Sequence, residues 1–74
     1  MIRRTKSAER MRALLDELGL SQMDAARFLR RDPRSVRRWV LGETEPPFAE
    51  FGLLKVMADR KLTAEAVERI CADD

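Results

Sequence analysis

Residues 21–42, SQMDAARFLRRDPRSVRRWVLG, decide the fold. Ser21 is a favourable N-cap for a short helix over 22–29, because its hydroxyl can accept a first-turn amide. Ala25, Ala26 and Leu29 share the inner face of that helix, and two alanines there let another helix come close. Met23 and Phe28 flank this face and are expected to be partly buried. Leu20 precedes the cap and Ala25 lies four helical positions in, the spacing of a hydrophobic staple. Arg30 and Arg31 make a turn. Asp32 then caps a second helix, and Pro33 takes its first position, where a missing N–H costs nothing. That helix runs to about Leu41, and Gly42 stops it. At 100° per residue Val36, Trp39 and Val40 fall on one side. Arg34, Arg37 and Arg38 fall on the other, with Ser35 at the edge and Leu41 nearby. No acid within the helix relieves the three arginines, so the face makes sense if an anion covers it.

Further helices surround this pair. Ser7 is a good N-cap for a helix running to about Leu18, in which Met11, Leu14, Leu15 and Leu18 form one apolar face. Arg10, Arg12, Asp16 and Glu17 face out, with Arg12 and Asp16 spaced to pair. Gly19 follows as a C-cap. After a connector, Glu43 to Pro47, Pro47 is placed to open a helix over about Phe48 to Asp59. Its apolar residues go nearly all round: Phe48, Phe51, Leu53, Leu54, Val56, Met57 and Ala58. Such a helix is buried on more than one side, and in a small chain the second side is expected to be a partner subunit. Thr63 caps a last helix, Ala64 to about Ala72, whose stripe is Val67, Ile70 and Cys71. Cys71 is expected to be a small buried apolar group. Residues 73–74 are an acidic tail. Residues 1–6 read as a flexible basic arm, in which Arg3, Arg4 and Lys6 either stay solvated or touch phosphate or the minor groove.

The chain has 74 residues, enough for one domain. A core of this size rarely supplies more than ~3–5 kcal/mol without a staple, metal or partner. One Cys and no His leave no internal disulfide and no ordinary zinc site. No apolar run approaches the roughly 18 residues that span a bilayer. MIRRTKSAER has no apolar segment after it and does not read as a signal peptide. A lone Cys without an export signal fits a reducing cytoplasm. The net charge of +2 hides an asymmetry. Residues 1–42 carry eleven Lys/Arg against five acids, a net of +6, and residues 43–74 carry four against eight, a net of −4. A basic half beside an acidic half suggests an anionic partner on one side.

The stretch LGLSQMDAARFLRRDPRSVRRWVLGETEPP resembles the helix-turn-helix of the lambda-repressor/Cro-like (XRE-type) family of phage and bacterial regulators. The shared pattern is Leu-Gly-Leu-Ser-Gln, a helix with a small Ala, a short turn, Ser-Val with Trp three residues later, and a closing Gly, ungapped from Leu18 to Gly42. The resemblance implies an all-α, five-helix lambda-repressor-like domain over 1–74, with the helix-turn-helix at 21–42 and support and dimerisation from 47–72. It implies that Gln22 meets a phosphate or supports a base contact. The base-reading positions fall on Pro33, Arg34 and Arg38, with Arg37 nearby. Thr44 matches a loop that meets the DNA backbone. Three positions depart from the pattern. Arg30 stands where the turn often has Gly, which costs strain if φ is positive. Pro33 cannot read a base edge by hydrogen bonds. Leu15 and Val40 stand where many members pair Arg with Glu, so an apolar contact replaces an ion pair.

The expected function is therefore that of a homodimeric, sequence-specific reader of double-stranded DNA. It would be a repressor of a phage or mobile-element operon, working in the cytoplasm at the nucleoid. Arg34, Arg38 and Arg37 read bases in an inverted repeat. Ser21, Gln22, Arg30, Arg31, Ser35 and Thr44 hold the backbone. Phe48, Phe51, Leu54, Met57, Val67 and Ile70 form the dimer interface. No cofactor, metal, membrane or small-molecule ligand is expected. No catalytic residue is expected either, since the chain has no His, no Tyr, no glycine-rich phosphate loop and no carboxylate pair in a cleft. The competing expectation is a protein-interaction module, such as an antiactivator or the antitoxin of a toxin–antitoxin pair.

Overall fold

A computed structural model describes residues 5–72 as five helices with no strand among them. They are α1 (Lys6–Leu18), α2 (Gln22–Leu29), α3 (Pro33–Leu41), α4 (Phe48–Arg60) and α5 (Ala64–Ala72). None is long and apolar enough to cross a membrane. Residues 1–4 of the expected arm and the tail at 73–74 lie outside the described residues.

Local chemistry sets each helix start. α1 begins two residues earlier than its sequence suggests. Thr5 has the extended backbone of a cap (φ −86, ψ 156) and its hydroxyl accepts the Ala8 amide at 3.0 Å. Ser7, the expected cap, instead donates its hydroxyl to Glu45 at 2.6 Å. Thr5 and Lys6 therefore belong to the helix start and not to an arm. Ser21 and Asp24 form a reciprocal capping box on α2. Asp32 accepts the Arg34 amide at 2.8 Å, with Pro33 in the first turn of α3. Pro47 occupies the cap of α4 rather than its first helical position. Thr63 accepts the Ala66 amide at 3.0 Å and so caps α5.

The first four helices end alike. The residue after each helix is left-handed, and the next amide reaches back five residues, as in Leu20 N–H to the Leu15 carbonyl at 2.8 Å. This Schellman arrangement satisfies the last carbonyls and turns the chain sharply. Gly19 and Gly42 adopt it at φ 69 and 79. Arg30 and Lys61 adopt it at φ 57 and 56, where a Cβ crowds the backbone. At α1 and α4 the residue beyond the cap is Leu20 or Leu62, and both pack on the core.

The core joins four helices. Met11 and Leu15 of α1 meet Ala25 and Ala26 of α2, Val36, Trp39 and Val40 of α3, and Leu54 and Met57 of α4. α3 packs against both α1 and α2, and α4 against α1. The alanines work as the sequence indicates: both are buried, and α3 lies close on α2. Leu15 and Val40 belong to the same apolar cluster.

Several sequence expectations are corrected here. Met23 is 56% exposed and is not part of the buried face. Leu54 and Met57 are fully buried in this chain's own core, so neither is free to form a dimer interface. α5 buries no residue completely. Val67 packs on the core margin, but Ile70 is 66% exposed and Cys71 is exposed. Only the first half of α5 touches the globule, because Leu62 and Ala64 anchor it and the later turns run past the last core residue.

Candidate functional site

The chemistry concentrates on α3. Its inner side is wholly apolar, with Val36, Trp39 and Val40 at most 6% exposed. Its outer side carries Arg34, Arg37 and Arg38, all exposed, with Ser35 half-buried at the edge. This separation follows from the sequence, because three apolar residues at i, i+3 and i+4 can be buried only by turning the three arginines outward. Among the described residues no acidic side chain pairs with Arg34, Arg37 or Arg38. The two ion pairs there are Arg31–Glu50 and Arg60–Asp59. The face is therefore a concentrated positive surface that no acid among the described residues neutralises.

Two other arginines hold this helix in place, and sequence reasoning gave them different work. Arg31 follows α2 and was expected to hold an external phosphate. Its Nε lies 3.0 Å from Oε2 of Glu50 on α4, whose side chain is only 19% exposed. Its guanidinium also lies 5.7 Å from the centroid of the Trp39 ring, within cation–π range. The residue thus ties the turn before α3 to α4 over the indole ring. Arg12 was expected to pair with Asp16. It is half-buried instead, and its guanidinium donates to the carbonyl of Val40 in the last turn of α3. A cation at a helix C-terminus is favourable, since the final carbonyls carry partial negative charge. The signal that could have found this is position. Arg12 flanks the Met11/Leu15 stripe, from where a long side chain can reach over the core edge.

The remaining expected site residues lie at the surface. Gln22 is exposed at the start of α2, and Ser21 is exposed while its hydroxyl accepts the Asp24 amide. Arg30 and Thr44 are exposed, Arg30 at the left-handed turn and Thr44 after Gly42. Among the described residues no hydrogen bond joins Gln22 or Thr44 to the arginines of α3.

No family model, curated protein or solved structure matches the chain. An exposed helix with one apolar side and three guanidinium groups that no acid among the described residues pairs can do two things. It can bind phosphates, and it can present paired donors to planar acceptors, which guanidinium geometry suits. Neither task needs a buried acid, a nucleophile or a metal.

Proposed function

We propose that the chain is a sequence-specific double-stranded DNA-binding regulator, a homodimeric repressor that reads an inverted repeat. In this reading α2 and α3 are the helix-turn-helix of a lambda-repressor-like domain, and α3 lies in the major groove. The observation that carries it is the face of Arg34, Arg37 and Arg38, unpaired by any acid among the described residues and fixed by the buried Val36, Trp39 and Val40. Arg34 and Arg38 are one turn apart, and each can donate two hydrogen bonds to guanine O6 and N7. Arg37 lies on the other side of Arg34 from Arg38 and serves either a base or a phosphate. Arg30, Ser35, Ser21 and Thr44 serve the backbone and set register. Gln22, with the partly positive N-terminus of α2, meets another phosphate. Arg31 joins this grip by exchanging Glu50 for a phosphate. Two subunits would read half-sites about 34 Å apart.

Salt dependence tests this reading against docking on an acidic protein. With about six arginine–phosphate contacts per dimer, duplex affinity should fall with a log–log slope of about −5, roughly a thousandfold between 50 and 200 mM salt. Fluorescence anisotropy with a labelled duplex reads this directly. Affinity for duplex DNA that is weak and insensitive to salt would remove the reading.

A further inference from the structure

The outer face of α4 carries an apolar row, bordered by the exposed Lys55 and Asp59, that no helix among the described residues covers. Phe48 is 91% exposed, Val56 54% and Leu53 38%, and Ala49 is also exposed. Helical spacing puts Phe48, Gly52 and Val56 in one row facing away from buried Leu54, with Ala49 and Leu53 on the side toward Met57 and the exposed Lys55 and Asp59 on the other. Gly52 sits at the middle of the row. A Cβ built on it meets no heavy atom within 4 Å. Nothing among the described residues therefore calls for a glycine there, although glycine weakens a helix interior relative to alanine. A glycine at the centre of an exposed apolar row fits the close approach of an outside helix.

We propose that α4 of a second copy crosses α4 antiparallel at Gly52, about a twofold axis passing beside that residue. Phe48 lies four residues before Gly52 and Val56 four after it. The twofold thus sets Phe48 of each subunit against Val56 of the other, as an isologous interface requires. Charge selects the direction. Arg60 and Lys61 end α4 and outweigh Asp59, which pairs with Arg60, so that end is net basic, whereas Glu43 and Glu45 lead into the helix. An antiparallel crossing brings the basic end of each helix toward the acidic approach of the other, and a parallel one would gather like charges. The apolar residues earlier assigned to the interface from α4 are replaced by its outer row, with Phe48 common to both sets. This inference rests on the homodimer of the proposed function. Its test contains no DNA, so failure of the DNA reading leaves it intact.

The test starts from Cys71→Ser, because the exposed native thiol would cross-link on its own account. In that background Gly52→Cys places each thiol beside its counterpart across the axis, within disulfide reach. Mild oxidation should convert most of the chain to a covalent dimer, and Glu68→Cys in the same background should form no cross-link. Gly52→Leu supplies the second arm. A Cβ there has open space among the described residues and leucine favours a helix more than glycine does, so helix content should not fall, but the larger side chain separates the crossing helices. Sedimentation equilibrium should show the dimer dissociation constant raised by about tenfold or more. Wild-type protein that stays monomeric at about 100 µM would overturn the proposal. So would a Gly52→Leu dimer as tight as wild type, or cross-linking no better at residue 52 than at 68.

Discussion

Replacing Trp39 with alanine is expected to lower the thermal midpoint by about 15 °C or more and to leave much of the chain unfolded at room temperature. Trp39 is 3% exposed and sits in the one cluster that joins α1, α2, α3 and α4. Truncating a buried Trp to Ala costs about 3–5 kcal/mol, from lost transfer energy and the cavity left behind. A chain this size has only ~3–5 kcal/mol from its core. For a domain of 60–100 residues each kcal/mol moves the midpoint by about 4–8 °C. The substitution also removes the ring beneath Arg31, a contact worth about 0.5–1 kcal/mol when exposed. Far-UV circular dichroism on heating checks this. A midpoint within about 5 °C of wild type would mean that Trp39 is not the centre of the core. Because α3 has no other large residue on its inner side, such a result would also undermine the fixed display of its arginines.

The second expectation concerns those arginines. Arg34→Ala and Arg38→Ala should each weaken binding to a guanine-containing half-site by about 1–3 kcal/mol, roughly 5- to 150-fold, while leaving unrelated duplexes much less affected. Both residues are exposed and neither has an ion-pair partner among the described residues, so stability should change by about 0.5 kcal/mol or less. Arg31→Ala should behave differently. It should weaken binding to all sequences alike, and it should also lower the thermal midpoint, because Glu50 loses its partner and Trp39 its cover. Titrations of each variant with operator and scrambled duplex, beside thermal melts, separate the two kinds of arginine. If neither Arg34→Ala nor Arg38→Ala costs operator affinity, base reading does not reside on this face.

The contrast between these arginines marks what a sequence can and cannot disclose. Arg34, Arg37 and Arg38 were legible as one exposed face because α3 is short and its three apolar residues leave a single way to bury it. Asp32-Pro33 and Gly42 fixed its ends for local reasons that need no tertiary contact. Arg12 and Arg31 were not legible. Their partners are the Val40 carbonyl and Glu50, distant along the chain, and only packing brings them together. The start of α1 was misplaced because Thr5 and Ser7 are both able caps, and the choice depends on which one the chain leaves extended. α4 posed a different difficulty. Apolar residues around its whole circumference gave no periodicity by which to tell core from surface. Packing against α1 buries Leu54 and Met57 and leaves Phe48, Leu53 and Val56 outside. α5 shows the reverse error: its apolar stripe was regular, but the globule ends before Ile70 and Cys71.

Selection of bound duplexes from a random DNA pool at physiological salt tests the central claim most directly. An α3 that reads bases through Arg34 and Arg38 predicts enrichment of an inverted repeat, with guanine in each half-site and centres about one helical turn or a whole multiple of it apart. A bound pool that keeps the base composition of the starting pool, without symmetry or preferred guanines, would contradict it.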